Sequence, residues 1–187
     1  YEAVADAYLA GLEAYAAGGG DLSRVASVAS FFVSRIDSAV DEQIEAKLTS
    51  VTNAAAREGL RRLKGQVAIA NAKLAYQRYG QIMATPRWKA LAGRGAQPQR
   101  LLWASTGTKN PAYRDTLYVE ELIGPDTVNT MPPATLDAFR DHGRPRLSLE
   151  EDVEQARTAL AALEDAGISL DAITSRLVQD GVSLFAD

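Results

Sequence analysis

The sequence has no cysteine, which excludes disulfides and thiolate metal sites. That absence fits a reducing cytoplasm. There is a single histidine, His142, with no second imidazole to help it hold a metal. No apolar run approaches the roughly 18 residues a membrane helix needs, so no membrane partner is expected. Positive charge is not in excess either: 20 Lys and Arg stand against 24 Asp and Glu, a net charge of −4. A chain with a pI of about 5.1 gives no general reason to expect nucleic acid as a partner. Tyr1 to Asp6 lack the basic region and apolar stretch of a signal peptide, and no initiator Met precedes them. Both ends read as cuts in a longer protein.

What is present is ordinary for a globular domain: 187 residues, 47% apolar and 24% charged, enough for one core. Apolar spacing predicts a helix over Glu2 to Ala17, ended by Gly18-Gly-Gly20. Val25 to Arg35 is small, β-branched or aromatic and reads as a strand buried on both faces. Asp37 then opens a helical region through Val40, Ile44 and Leu48. After a Thr/Ser/Asn break the pattern resumes from Leu60 through Tyr76 up to Gly80. Pro86 starts a short helix with Trp88 and Leu91. Leu101 to Ser105 is a second strand, and Thr127 to Met131 a third, stopped by Pro132-Pro133. Leu117 to Leu122 reads as a short helix between them. Helices are expected at about 134–141, 149–166 and 170–180, with Ser148 and Asp171 as caps. Strands separated by helices, with no tight hairpin and no internal repeat, imply parallel pairing through crossover helices. Three such units are too few for a covered sheet, so the fold class is α/β, part of a larger (β/α)₈ barrel.

In such a barrel the chemistry sits just after each strand. The first strand ends at Ser34-Arg35-Ile36-Asp37. Arg35 offers a two-pronged cation to a phosphate, or else forms a structural pair with Asp37 or Asp41. The second ends in Ser105-Thr-Gly-Thr-Lys-Asn-Pro111, whose hydroxyls, glycine and Lys109 suit an anion, although the spacing is not that of a phosphate-binding P-loop. A solvated polar loop is the plainer alternative. His142, near a helix C-terminus, reads as a cation suited to the dipole, and Asp141 is expected to point away from it. Trp88 and Trp103 read as packing residues. The carboxylates Glu150 to Glu154 read as a solvated face.

Four stretches resemble the transaldolase family. Val28-Ala-Ser-Phe-Phe-Val-Ser-Arg-Ile-Asp37 resembles its sixth barrel strand. Leu102-Trp-Ala-Ser-Thr-Gly-Thr-Lys-Asn-Pro111 resembles the seventh strand and loop of a longer bacterial branch. Tyr118 to Pro132 resembles the stretch into and through the eighth, and Gly65 to Tyr76 a helix of the same branch. Thr130-Met-Pro-Pro133 and Asp141-His-Gly143 lean toward members fused to a phosphoglucose isomerase domain. On this resemblance, residues 1–187 form the C-terminal part of one barrel domain, truncated on its N-terminal side.

The resemblance implies an aldol-transfer enzyme of the pentose phosphate pathway, cytoplasmic, with neither cofactor nor metal. A lysine on the fourth strand holds a dihydroxyacetone unit as a Schiff base. Substrates would be fructose 6-phosphate, sedoheptulose 7-phosphate, erythrose 4-phosphate and glyceraldehyde 3-phosphate. That lysine and the family's acid/base carboxylates precede Tyr1, so no catalytic residue is expected in this chain and the missing N-terminal half is a required partner. By position, Ser30 would face the substrate, Phe32 would line the pocket, and Arg35 and Ser105 would bind its phosphate. Where the shorter branch has a second Arg this chain has Gly107, and Lys109 is taken to supply that charge. The competing reading is a non-catalytic helical scaffold or interaction module.

Overall fold

Three short parallel strands form the sheet: β1 (Val28–Phe32), β2 (Arg100–Ala104) and β3 (Thr127–Asn129), in the order β1-β2-β3. They belong to a computed structural model that describes residues 1–186, with side chains described to residue 183. The register places Ser30 beside Leu102 and Leu102 beside Val128, and Phe31 beside Trp103 and Trp103 beside Asn129. Partners across parallel strands share a face, so the sheet has two distinct sides. On one, Leu101 and Trp103 are wholly buried, and Phe31 meets the Trp103 ring edge-on at 5.7 Å. On the other, Val28 is 39% and Phe32 43% exposed.

That second face corrects the expectation of a strand buried on both sides. The apolar run in β1 is real, but among the described residues helices cover only one face of it. The strand is also shorter than its composition suggested. A 3₁₀ turn at Leu22–Arg24, capped by Asp21, occupies the ground before it.

The helices are α1 (Glu2–Ala17), α2 (Ser34–Leu48), α3 (Ala54–Leu63), α4 (Val67–Met83), α5 (Pro86–Ala92), α6 (Leu117–Glu121), α7 (Pro133–His142), α8 (Val153–Asp165) and α9 (Leu170–Ala186). The main core joins Val40 and Ile44 of α2, Val67 and Ala72 of α4, Leu163 after α8's start, and the covered face of β2. A smaller core beneath α1 gathers Leu9, Leu12, Leu22, Trp88 and Leu91. Both tryptophans are packing residues, as their sequence context suggested. Among the described residues, no helix is long and apolar enough to cross a membrane.

Several boundaries differ for local reasons. The helical pattern through Leu60 and Tyr76 breaks at Gly65, whose φ of +70° suits glycine and whose Cβ would lie 2.9 Å from the Tyr113 ring. Beyond the break, α4 runs past Gly80 to Met83. Ser148 is not a helix cap. Its hydroxyl donates to the Glu120 carbonyl and accepts from the Ile123 N–H, and α8 starts later, at Val153. Asp171 lies within the first turn of α9 rather than capping it; the Ser169 hydroxyl accepts from the Ala172 N–H.

Candidate functional site

The C-terminal ends of β1 and β2 are stitched together by backbone. The Val33 N–H donates to the Ala104 carbonyl at 2.9 Å, and the Ser34 N–H to the Ser105 carbonyl at 3.0 Å. Helix α2 starts at Ser34, earlier than its sequence suggested, so Arg35 sits in a first helical turn instead of ending a strand. Ser105 sits across that hydrogen bond from it, in a left-handed conformation with φ 54°. Such backbone strain in a non-glycine residue clusters where the surrounding structure fixes a functional turn. The following Thr106 is fully buried, and its hydroxyl donates to Asn129 Oδ1 at 2.8 Å. The end of β2 is thereby tied to the end of β3 as well.

Ser30, Phe32 and Arg35 line one cavity of about 1020 Å³, opposite Leu74 of α4 and Leu177 of α9. The Arg35 guanidinium lies 4.7 Å over the Phe32 ring. Among the described residues Arg35 has no ion-pair partner, although Asp37 and Asp41 follow on the same helix. Those carboxylates are engaged elsewhere. Asp37 accepts from the Ala68 N–H at 2.8 Å and from the Tyr118 hydroxyl at 2.8 Å, and Asp41 accepts from the Tyr113 hydroxyl. Ser105 and Lys109 lie outside the walls of the large cavity; Lys109 borders a second, of about 210 Å³, together with Asp37 and Asp41. The structure thus gathers Ser30, Phe32 and Arg35, sets Ser105 against the start of α2, and turns Lys109 toward the acidic side of that helix.

The Asp37 and Asp41 cluster was overlooked as a polar site, yet it left a signal. Val33, Ile36, Asp37, Val40, Asp41, Ile44 and Leu48 form one helical stripe, and a carboxylate inside an apolar stripe is a buried carboxylate. Burial raises the Asp37 pKa to about 6 against the pull of its two donors, and the Asp41 charge adds to the rise. A carboxyl whose folded pKa exceeds its unfolded one binds more protons when folded. Stability is therefore lost as pH rises through the window from about 4 to about 6. The expected loss is roughly 3 kcal/mol across that window. Urea unfolding at several pH values should show it, and Asp37→Asn should flatten that part of the profile. An unchanged slope in the variant would remove Asp37 as its source.

His142 contradicts the expectation that Asp141 points away. Because α7 ends at His142, its ring is free to turn, and it meets Asp141 at 3.0 Å and Asp115 at 2.9 Å. Its pKa is raised, first by the hydrogen bond to Asp115. The cluster is exposed, and among the described residues no group of three acidic, His or Cys side chains could hold a metal.

Comparison with known proteins gives this geometry its context. Residues 1–187 match the family model described as transaldolase/fructose-6-phosphate aldolase. A transaldolase of Trichodesmium erythraeum is 51% identical over 181 residues, covering 96% of this chain and 48% of that protein. A transaldolase of Frankia alni is 50% identical, covering 100% and 48% respectively. Transaldolase 1 of Streptomyces coelicolor is 52% identical, covering 99% and 47%. The chain spans about half the length of these curated relatives. A match over the whole chain, at this identity, shows that the chain belongs to the transaldolase/fructose-6-phosphate aldolase family.

Proposed function

We propose that this segment is the phosphate-holding part of a transaldolase barrel. The whole protein transfers a dihydroxyacetone unit between sugar phosphates through a Schiff base on a lysine outside these residues. The observation that carries the reading is Arg35. A cation in the first turn of α2 opposes the positive end of the helix dipole, an arrangement costing roughly 0.3–1 kcal/mol. A bound phosphate removes that conflict, because it accepts from the guanidinium fork and complements the dipole together.

Ser105 adds a hydroxyl from the neighbouring strand end, and Lys109 a mobile point charge in place of the arginine that Gly107 replaces. Phe32 supports the guanidinium as a flat platform, while Ser30 faces the sugar. Holding the phosphate at one side of a barrel mouth lays the sugar chain across it, so its carbonyl reaches the lysine opposite. The three strands are an arc of the closed barrel, and the lysine and its acid/base carboxylates come from the remaining strands. The substrates are the ketose and aldose phosphates of the pentose phosphate pathway, fructose 6-phosphate and erythrose 4-phosphate among them, in the cytoplasm.

Borohydride trapping with fructose 6-phosphate tests this division of labour. Full-length protein should be labelled at one lysine outside residues 1–187, and the isolated segment should take no label. Labelling of Lys109, or of any lysine within the segment, would overturn it.

A further inference from the structure

The left-handed turn at Ser105 is held from three directions. On the β1 side its carbonyl accepts from the Ser34 N–H at 3.0 Å. On the β3 side the next residue, Thr106, is wholly buried, and its hydroxyl donates to Asn129 Oδ1 at 2.8 Å. Beyond it Gly107 presses on the start of α7, where a Cβ would lie 3.1 Å from the Thr135 hydroxyl and 3.3 Å from Pro132. A serine keeps a φ of 54° only where its surroundings over-determine it. The first of these holds is backbone against backbone, and the third is steric fit. The second is a side-chain hydrogen bond, so it can be removed with the chain path otherwise in place.

Asn129 is a fixed post for that bond. It pairs in register with Trp103, and partners across parallel strands share a face, so its side chain lies on the covered side of the sheet. Ser30 and Phe32, which line the large cavity, lie on the opposite side. The residue after Asn129 locks the strand end, because the Thr130 N–H donates to the Trp103 carbonyl at 3.0 Å. A hydroxyl has one proton to give. The Thr130 carbonyl, at 3.3 Å from the Thr106 oxygen, is the longer of its two acceptors, and Asn129 is the principal one.

We propose that Thr106 and Asn129 are positioning residues of the phosphate site: their hydrogen bond holds Ser105 left-handed and so keeps its hydroxyl beside the start of α2. Neither residue touches the substrate. With the bond broken, the turn relaxes toward ordinary backbone and the Ser105 hydroxyl leaves the phosphate. Arg35 stays in place, because it is carried by its own helix. The loss is therefore partial and confined to phosphorylated ligands. This rests on the reading of Ser105 as a phosphate ligand.

Kinetics of the whole enzyme proposed above test it, with inorganic phosphate as the probe. Thr106→Val keeps the shape of the side chain and removes the donor. Phosphate inhibition should weaken about three- to tenfold, the worth of one neutral hydrogen bond, and KM for fructose 6-phosphate should rise with it. Turnover on unphosphorylated dihydroxyacetone should barely change. Thr106→Ser keeps the hydroxyl and should keep the wild-type constants. Asn129→Ala leaves the Thr130 carbonyl at 3.3 Å as acceptor and should show the same loss in smaller measure. It decides the matter if Thr106→Val fails to fold. In a Ser105→Ala background Thr106→Val should add nothing, because the hydroxyl it positions is gone. Unchanged phosphate inhibition in Thr106→Val, equal losses on both donors, or a loss that persists without the Ser105 hydroxyl would each overturn the proposal. Ser105→Ala alone keeps the two readings apart. If it leaves phosphate inhibition unchanged, Ser105 is no phosphate ligand and the proposal falls with that reading. If it weakens inhibition while Thr106→Val does not, the positioning role alone fails.

Discussion

Replacing Arg35 by alanine should, on the phosphate-holding role proposed for it, weaken binding of phosphorylated substrates about ten- to a hundredfold, the worth of a charge-assisted hydrogen bond to a phosphate. The fold should barely notice. Arg35 is exposed, its contact is the Phe32 ring at 4.7 Å, and among the described residues no carboxylate depends on it. An exposed cation–π contact contributes about 0.5–1 kcal/mol, and removing a cation from the first turn of α2 returns part of that through the dipole. Unphosphorylated dihydroxyacetone as donor should suffer much less, because it has no phosphate to lose. Arg35→Lys should fall between, keeping the charge and losing the fork. The rival structural role, a pair with Asp37, requires equal losses on both donors and a lower melting temperature. KM for both donors and the melting point of one variant separate the two, and equal losses would sink the phosphate assignment. Asp37 already argues against that rival, since the Ala68 N–H and Tyr118 hydroxyl occupy both its oxygens.

The element order was legible because each strand has a compositional border: Gly18-Gly-Gly20 before the first, Pro98 before the second, Pro132-Pro133 after the third. Parallel pairing followed from the helical stretches between strands, and the register agrees. Strand ends and helix starts were less legible, because they depend on partners distant in sequence. Helix α2 begins at Ser34 since the Ser34 N–H finds the Ser105 carbonyl, 71 positions on, and no local pattern around Ser34 encodes that bond. Ser148 has the residue type of a helix cap, but Glu120 and Ile123 engage its hydroxyl first. The strand-end candidates were readable as residue types; their grouping was not. Which cavity Lys109 borders depends on the path of the loop through Tyr113, and that path is set by Asp41 and Gly65 across the fold.

The isolated 187 residues should not persist in solution as a stable monomer. Among the described residues the sheet has one interior strand, β2; β1 and β3 each have a single neighbour there and present a free row of N–H and C=O groups. Parallel sheets are found covered on both faces, yet here the face bearing Val28, Ser30 and Phe32 is open. The opening continues into the cavity of about 1020 Å³ beside β1, and the α9 residue Val178 on its wall is 66% exposed. An apolar surface joined to an unpaired strand edge is a template for association. Light scattering on the isolated segment should therefore report oligomers or aggregates growing with concentration. Hydrogen exchange should find β1 amides opening well before those of β2, which has a neighbour on each side. On the proposed barrel reading, co-expression with the N-terminal half of a matched transaldolase should close the barrel, slow exchange along β1 and give a single soluble species. A monodisperse monomer of residues 1–187, with β1 as protected as β2, would show that this sheet is complete by itself, and the barrel reading would fall.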